Sequence, residues 1–248
     1  MTTLTKEKRF SIQDNAYSFP YHYLPEITAD KKIVIHKSLR WGLEYVTYLT
    51  YISELIYNHR PKSVCDVGCG DGRLLSMLSD VDQKVGVDLS SRALSFARAF
   101  VPDAKWFCCP IEKVPGTYDL VTCIETLEHI PDEEIEDFVA SLHAKVSDKG
   151  VLVVSVPTVN RPLISKHYRH YTEEFLRQQL KPYFKIEQTT WVYRICLLTK
   201  ILNLLLENKV FMLRYAAALR LIFKIHKRLG FFGIRSNGAH LVAVASAN

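Results

Sequence analysis

The sequence predicts an α/β protein with a doubly wound, mostly parallel sheet, and three observations carry that reading. Short apolar runs alternate with helix-like patterns through residues 61–191. One run, Ser63 to Val67, breaks into Gly68, Gly70 and Gly72 before a helical pattern begins at Arg73, Leu74, Leu75, Met77 and Leu78. A second run, Lys84 to Leu89, carries an acid near its end, Asp88. A strand, a tight glycine turn and a helix start allow a ligand to approach the backbone closely.

The glycine spacing discriminates between ligands. Dinucleotide sites use G-x-G-x-x-G, whereas Gly68-Cys69-Gly70-Asp71-Gly72 reads G-x-G-x-G, with Asp66 just before it. Two carboxylates repel a pyrophosphate and attract a sulfonium and its amino group. Taken alone, the segment also fits a structural turn in another α/β protein. At these residues the chain resembles the class I S-adenosylmethionine-dependent methyltransferases, whose first motif is an acid followed by G-x-G-x-G.

Further segments extend the resemblance in order. Asp88 ends the second strand, where a carboxylate offers paired acceptors to ribose hydroxyls. Ser90 follows as the N-cap of a helix over 93–100. Trp106 to Pro115 sits where such enzymes end a third strand and reach the adenine. Many carry an acid where this chain has Pro110, so adenine contact is expected from Ile111 and backbone groups. Tyr118 to Ile124 reads as a buried fourth strand that runs into the polar loop Glu125-Thr126-Leu127-Glu128-His129, with a helix starting near Asp132. Gly150 to Pro157 is a fifth strand, Phe184 to Thr190 a sixth and 239–246 the last. The resemblance implies a seven-stranded Rossmann-like methyltransferase sheet with S-adenosyl-L-methionine as cofactor. The cofactor contacts expected are Asp66, Gly68, Gly70, Asp71, Asp88, Leu89, Ile111 and Glu125.

The remainder sets the organisation. At 248 residues, 48% hydrophobic and 23% charged, the chain has the composition of a soluble globular protein. Residues 1–60 read as an N-terminal extension and helix: a polar tail through Gln13, an aromatic and proline-rich stretch over 17–25, and a helical pattern over 38–57. Residues 61–248 read as the methyltransferase domain. Met1 to Gln13 has no apolar run of a leader peptide. The six cysteines lack a second pair at structural-zinc spacing. Reduced core thiols and a cytoplasmic location are therefore expected.

Charge is concentrated in an insertion, 194–235, before the last strand. It holds nine basic residues against Glu207 alone, in a chain whose net charge is +6. Apolar residues at helical spacing (Leu197, Leu198, Ile201, Leu202, Leu205; Leu213, Ala217, Leu221, Ile222, Ile225) predict two basic amphipathic helices. Charges interrupt them too often for a transmembrane span. A helical cap with a solvated basic face, peripheral contact with an acidic membrane surface, and a grip on phosphates are all open readings.

Candidate chemistry lies in the loops after the fourth and fifth strands. His129 and His167 are the candidate catalytic residues, as a base for a hydroxyl or as positioning groups. Arg169 is placed to bind a carboxylate or phosphate, and Thr172 to cap a helix over 173–181. A different reading makes Glu125, Glu128, His129 and His167 the ligands of a divalent metal. Glu-x-x-Glu-His followed by a distant His resembles the small-RNA 3′-terminal ribose 2′-O-methyltransferases, which implies an RNA acceptor. The expected acceptor is an oxygen on a small molecule, glycan or lipid-linked intermediate. A methyltransferase-like protein that only binds the cofactor is the third class, and the intact Asp66, Gly68, Gly70 and Asp88 weigh against it.

Overall fold

The apolar runs of the sequence form a seven-stranded sheet. The computed structural model describes residues 5–14, 25–27, 33–35, 40–208, 210–213 and 215–248. In chain order the elements are α1 (Lys6–Asp14), β1 (Pro25–Ile27), β2 (Ile33–Ile35), α2 (Arg40–His59), β3 (Ser63–Val67), β4 (Gln83–Val87), α3 (Ser91–Phe100), β5 (Lys105–Phe107), β6 (Tyr118–Ile124), α4 (Ile135–His143), β7 (Val146–Pro157), α5 (Glu173–Leu180), β8 (Phe184–Arg194), α6 (Leu197–Leu206), α7 (Ala216–Leu229) and β9 (Gly238–Ala247). The sheet order is β5-β4-β3-β6-β7-β9-β8. The pairs β3–β4, β3–β6, β4–β5 and β6–β7 are parallel. The order reverses at β3, which places a topological switch point beside the glycine turn.

The central strands are apolar on both faces because helices cover both sides of such a sheet. Val64, Cys65, Leu120, Val121, Cys123, Leu152, Val153 and Val154 are fully buried. The connecting helices carry their own start signals. The Ser90 hydroxyl accepts from Ala93 N at 3.2 Å and opens α3. The Thr172 hydroxyl accepts from Phe175 N at 3.2 Å and opens α5. Each cap satisfies a backbone donor that the helix itself leaves unpaired.

The segment after the glycine turn departs from expectation. In place of a helix from Arg73, it makes one 3-10 turn, Leu75–Met77. Residues 68–82 must contain both the turn and the crossover to β4, and Leu74, Leu75 and Leu78 are all drawn into the core. Met77 N and Leu78 N donate to Leu74 O and Leu75 O, three residues back, so the turn winds as 3-10 and not as an α-helix.

The chain divides into two compact units, neither bounded at residue 60. The first comprises Met1–Tyr17, Ile52–Thr189 and Leu241–Asn248; the second, Ser18–Tyr51 and Thr190–His240. The second contains the antiparallel pair β1–β2 and the two helices of the basic insertion. Leu202 and Leu206 of α6 share a core with Leu219 and Ile222 of α7 and with Leu43 and Tyr193. The aromatic stretch over 17–24 lies outside the described residues. All six cysteines are free, with Cys65, Cys69 and Cys123 buried.

Gly68 tests the turn. Its φ is +73°, and an added Cβ would lie 2.3 Å from Thr126 Oγ1. Gly68→Ala is expected to destabilise the protein by about 2 kcal/mol, lowering the thermal midpoint by several degrees. An unchanged melting curve would contradict the assigned turn.

Candidate active site

The end of β4 staples the glycine turn. Val87 O accepts from Gly68 N at 2.8 Å and Cys69 N at 3.1 Å. The Asp88 carboxylate continues the staple, accepting from Gly70 N at 2.9 Å and from Ser90 N at 2.7 Å. A carboxylate has about four acceptor sites, so Asp88 retains capacity toward ligand hydroxyls. Burial raises its pKa, and the two backbone donors oppose that rise.

Asp66 lies deeper, opposite Thr122 in the parallel register. The Thr122 hydroxyl donates to Asp66 Oδ1 at 2.7 Å. Burial pushes Asp66 up to about 7, against the Thr122 bond and with a further rise from Asp88. Burial likewise pushes Asp71 up to about 6, against the Arg73 charge and backbone donor. Two buried carboxylates and the half-buried Asp88 therefore surround one turn, and burial holds back their ionisation until a cation compensates.

Beside this turn, within the first unit, is a cavity of about 480 Å³, of ordinary size for a small-molecule site. Of the residues expected to contact the cofactor, Gly68, Asp88, Leu89, Ile111 and Glu125 line it. Asp66, Gly70 and Asp71 do not. Asp66 is turned inward to Thr122, while Asp71 Oδ1 accepts from Arg73 N at 3.1 Å within its own loop. These two acids act on the cavity through their field, without touching it.

One wall comes from a segment whose sequence reads as a polar tail. Helix α1 contributes Lys6, Arg9, Phe10, Gln13 and Asp14 to the lining and has no buried residue. Polar contacts at both ends of the cavity hold it. Arg9 donates to Ser165 O at 2.7 Å and His167 O at 2.8 Å, and its guanidinium lies 4.3 Å over the Tyr168 ring. Lys166 Nζ donates to Gln13 Oε1 at 2.8 Å. Asp14 accepts from the Ser90 hydroxyl, and Lys6 pairs with Glu134. No local apolar pattern marks such a helix, because its partners lie more than 70 residues away. The one sequence signal is alternating charge with Phe10 and Ile12 between.

The histidine loops meet at the same cavity. His129 lines it, and the His167 ring stands edge-on to His129 with centroids 4.7 Å apart. His129 Nδ1 donates to Lys166 O at 3.1 Å. His170 Nδ1 donates to Arg161 O at 3.1 Å, and its Nε2 lies 2.8 Å from His167 Nδ1. A carbonyl only accepts, so the neutral tautomers that these bonds select leave lone pairs on Nε2 of both His129 and His167. Burial lowers the His129 pKa to about 4 and drives His167 lower still, with neighbouring His129 and Lys166 adding to the shift. One ligand atom each from Glu128, His129 and His167 lies within 4.8 Å of the others.

Two expectations change here. Glu125 does not join that group: its Oε1 accepts from Ser155 Oγ at 2.7 Å, and its φ of +50° is a left-handed conformation uncommon outside glycine. Arg169 is not available to a substrate anion. It is buried, donating to Asp132 Oδ1 from Nε at 3.0 Å and to Leu127 O from Nη1 at 3.0 Å, so it fixes the loop that carries Glu128 and His129.

Comparison with known proteins agrees with this geometry. The family described as "Methyltransferase domain" matches residues 43–194, more than half of the chain. Ubiquinone biosynthesis O-methyltransferase of Burkholderia multivorans is 34% identical over 128 residues, covering 48% of this chain and 53% of the relative. The enzyme of the same name from Nitrosomonas europaea is 39% identical over 93 residues, 34% of this chain and 40% of the relative. The chain thus matches about two fifths to one half of the length of these curated relatives. Magnesium protoporphyrin IX methyltransferase of Synechocystis PCC 6803, solved with bound S-adenosylmethionine, shares the fold with a TM-score of 0.60 at 14% identity, covering 99% of each chain. The acid-glycine turn, the second-strand acid, the sheet order and the family match lead to one conclusion: this chain belongs to the methyltransferase-domain family, with the fold of the S-adenosylmethionine-dependent methyltransferases.

Proposed function

We propose that the chain is a class I S-adenosylmethionine-dependent methyltransferase, that the methyl group goes to an oxygen of a small-molecule, glycan or lipid-linked acceptor, and that a divalent cation on Glu128, His129 and His167 assists. The observation that carries the proposal is the convergence of two imidazole lone pairs and a buried carboxylate behind His129, which lines the cavity. That donor set suits a borderline divalent ion. The names of the curated relatives support an oxygen acceptor.

S-adenosylmethionine supplies an electrophilic methyl on a positively charged sulfur, open to in-line displacement. The remaining acceptor capacity of Asp88 suits its ribose hydroxyls, and Ile111 presents an apolar surface to the adenine. Asp66 and Asp71 place negative potential behind the turn. Helix α1 lines the cavity, and Arg9 fixes the carbonyl of His167 and with it the loop. A general base works best with a pKa near the working pH. His129 at about 4 is too weak for that task, yet neutral and suited to ligate a cation. A cation there would lower the pKa of an acceptor hydroxyl.

The same convergence also favours a second reading, an RNA 3′-terminal ribose acceptor. Three of the four residues behind it come together, and Glu125 is held by Ser155 instead. Among the described residues no helix is long and apolar enough to cross a membrane.

Two measurements test these readings. Asp66, raised from 3.8 to about 7, and Asp71, raised to about 6, favour the protonated folded state. Their contribution to stability is full below pH 4 and is lost as pH rises through those values. A bound cation offsets the loss, so affinity for S-adenosylmethionine should strengthen between pH 5 and pH 7, more than that for S-adenosylhomocysteine. Equal slopes in calorimetry would contradict it. In the second, zinc or manganese binding should be lost in His129→Ala, and chelator should cut methylation of a phenol or sugar panel at least tenfold. Chelator-insensitive turnover would remove the metal, and chelator-sensitive methylation confined to RNA 3′ ends would establish the second reading.

A further inference from the structure

The basic insertion carries a feature that methyl transfer does not use. Helix α6 is apolar on two sides. Leu202 and Leu206 face the core that they share with Leu219 and Ile222 of α7. Leu197, Ile201, Leu204 and Leu205, at helical spacing on the other side, are exposed, Leu197 by 73%. Val210, 91% exposed, and Phe211 extend the apolar surface past the helix end. A soluble helix would carry polar residues there.

Helix α7 complements it. Its buried face holds Leu219, Ile222 and His226, and its exposed side presents Arg220, Lys224 and Arg228, four residues apart along one stripe. An exposed aliphatic stripe beside a cationic stripe, on helices joined by one core, has the composition of an interfacial helical hairpin.

We propose that α6 and α7 dock the protein on an anionic membrane surface, with the leucine stripe entering the headgroup boundary and the α7 cations meeting lipid phosphates. Charge and the apolar stripe together decide between occupants. The insertion carries nine basic residues and one acid, which is complementary to anionic headgroups. A two-fold pairing of this face with a second copy would oppose like charges. A nucleic-acid grip would use the cations alone and leave the stripe of Leu197, Ile201, Leu204 and Leu205 in water. The docking is independent of which acceptor oxygen is methylated, and it brings the enzyme to the surface where lipid-tailed molecules reside.

The test is co-sedimentation of the full chain with vesicles of phosphatidylcholine alone and of an equimolar mixture with phosphatidylglycerol. The chain is expected to bind the mixed vesicles, with affinity falling as salt rises. Arg220→Glu with Lys224→Glu should weaken binding by about tenfold or more, and Leu204→Glu should do so at every salt concentration. Each variant should retain wild-type affinity for S-adenosylmethionine, which reports a folded first unit. If Leu204→Glu fails that control, Leu197→Ser with Leu204→Ser carries the apolar arm. Failure to bind mixed vesicles, equal binding by all variants, or a wild-type dimer dissociated by Leu204→Glu would each overturn the proposal.

Discussion

The bond between the Asp88 carboxylate and the backbone of the glycine turn is the constraint on which the site depends. Gly68 and Gly72 hold positive φ, and a turn of that kind has few favourable alternatives of its own. Val87 O and Asp88 fix it from the neighbouring strand with bonds of 2.8 to 3.1 Å. The same carboxylate accepts from Ser90 N, and the Ser90 hydroxyl both caps α3 and donates to Asp14 of α1. One acid thereby sets the turn, starts a helix and positions an anchor of the cavity wall.

That wall links the two halves of the chemistry. Helix α1 is tied at one end to Ser90, beside the acid expected to meet the ribose, and along its length to the backbone of the histidine loop. It gains little from apolar burial, since Phe10 and Ile12 remain exposed. Elements held by polar contacts alone open at low free-energy cost. Arg9 joins this wall of the cavity to the loop bearing His167 through the carbonyls of Ser165 and His167.

Much of the fold was legible because its signals are local. Glycine spacing, strand-end acids and the Ser90 and Thr172 caps each act within a few residues, and the structure places them as the sequence reading placed them. The helix expected after Arg73 gave way to one 3-10 turn as Leu74, Leu75 and Leu78 entered the core. Long-range partnership defeated the rest. Arg169 reads as an anion ligand until Asp132 and Leu127 O occupy it, Glu125 reads as a metal ligand until Ser155 claims it, and α1 reads as a tail until Ser165, His167 and Ser90 hold it. The pairing of His129 with His167, 38 residues apart, followed from the family resemblance and from no periodicity in the chain.

The most direct measurement of the central claim is calorimetric titration of S-adenosylmethionine into Asp88→Ala, with circular dichroism as a check on folding. Losing charge-assisted bonds to the ribose and to the turn is expected to weaken binding by about ten- to one-hundredfold, with a cooperative thermal transition retained. Wild-type affinity in a folded Asp88→Ala protein would contradict the account, because neither the staple nor the ribose contact would then hold the cofactor.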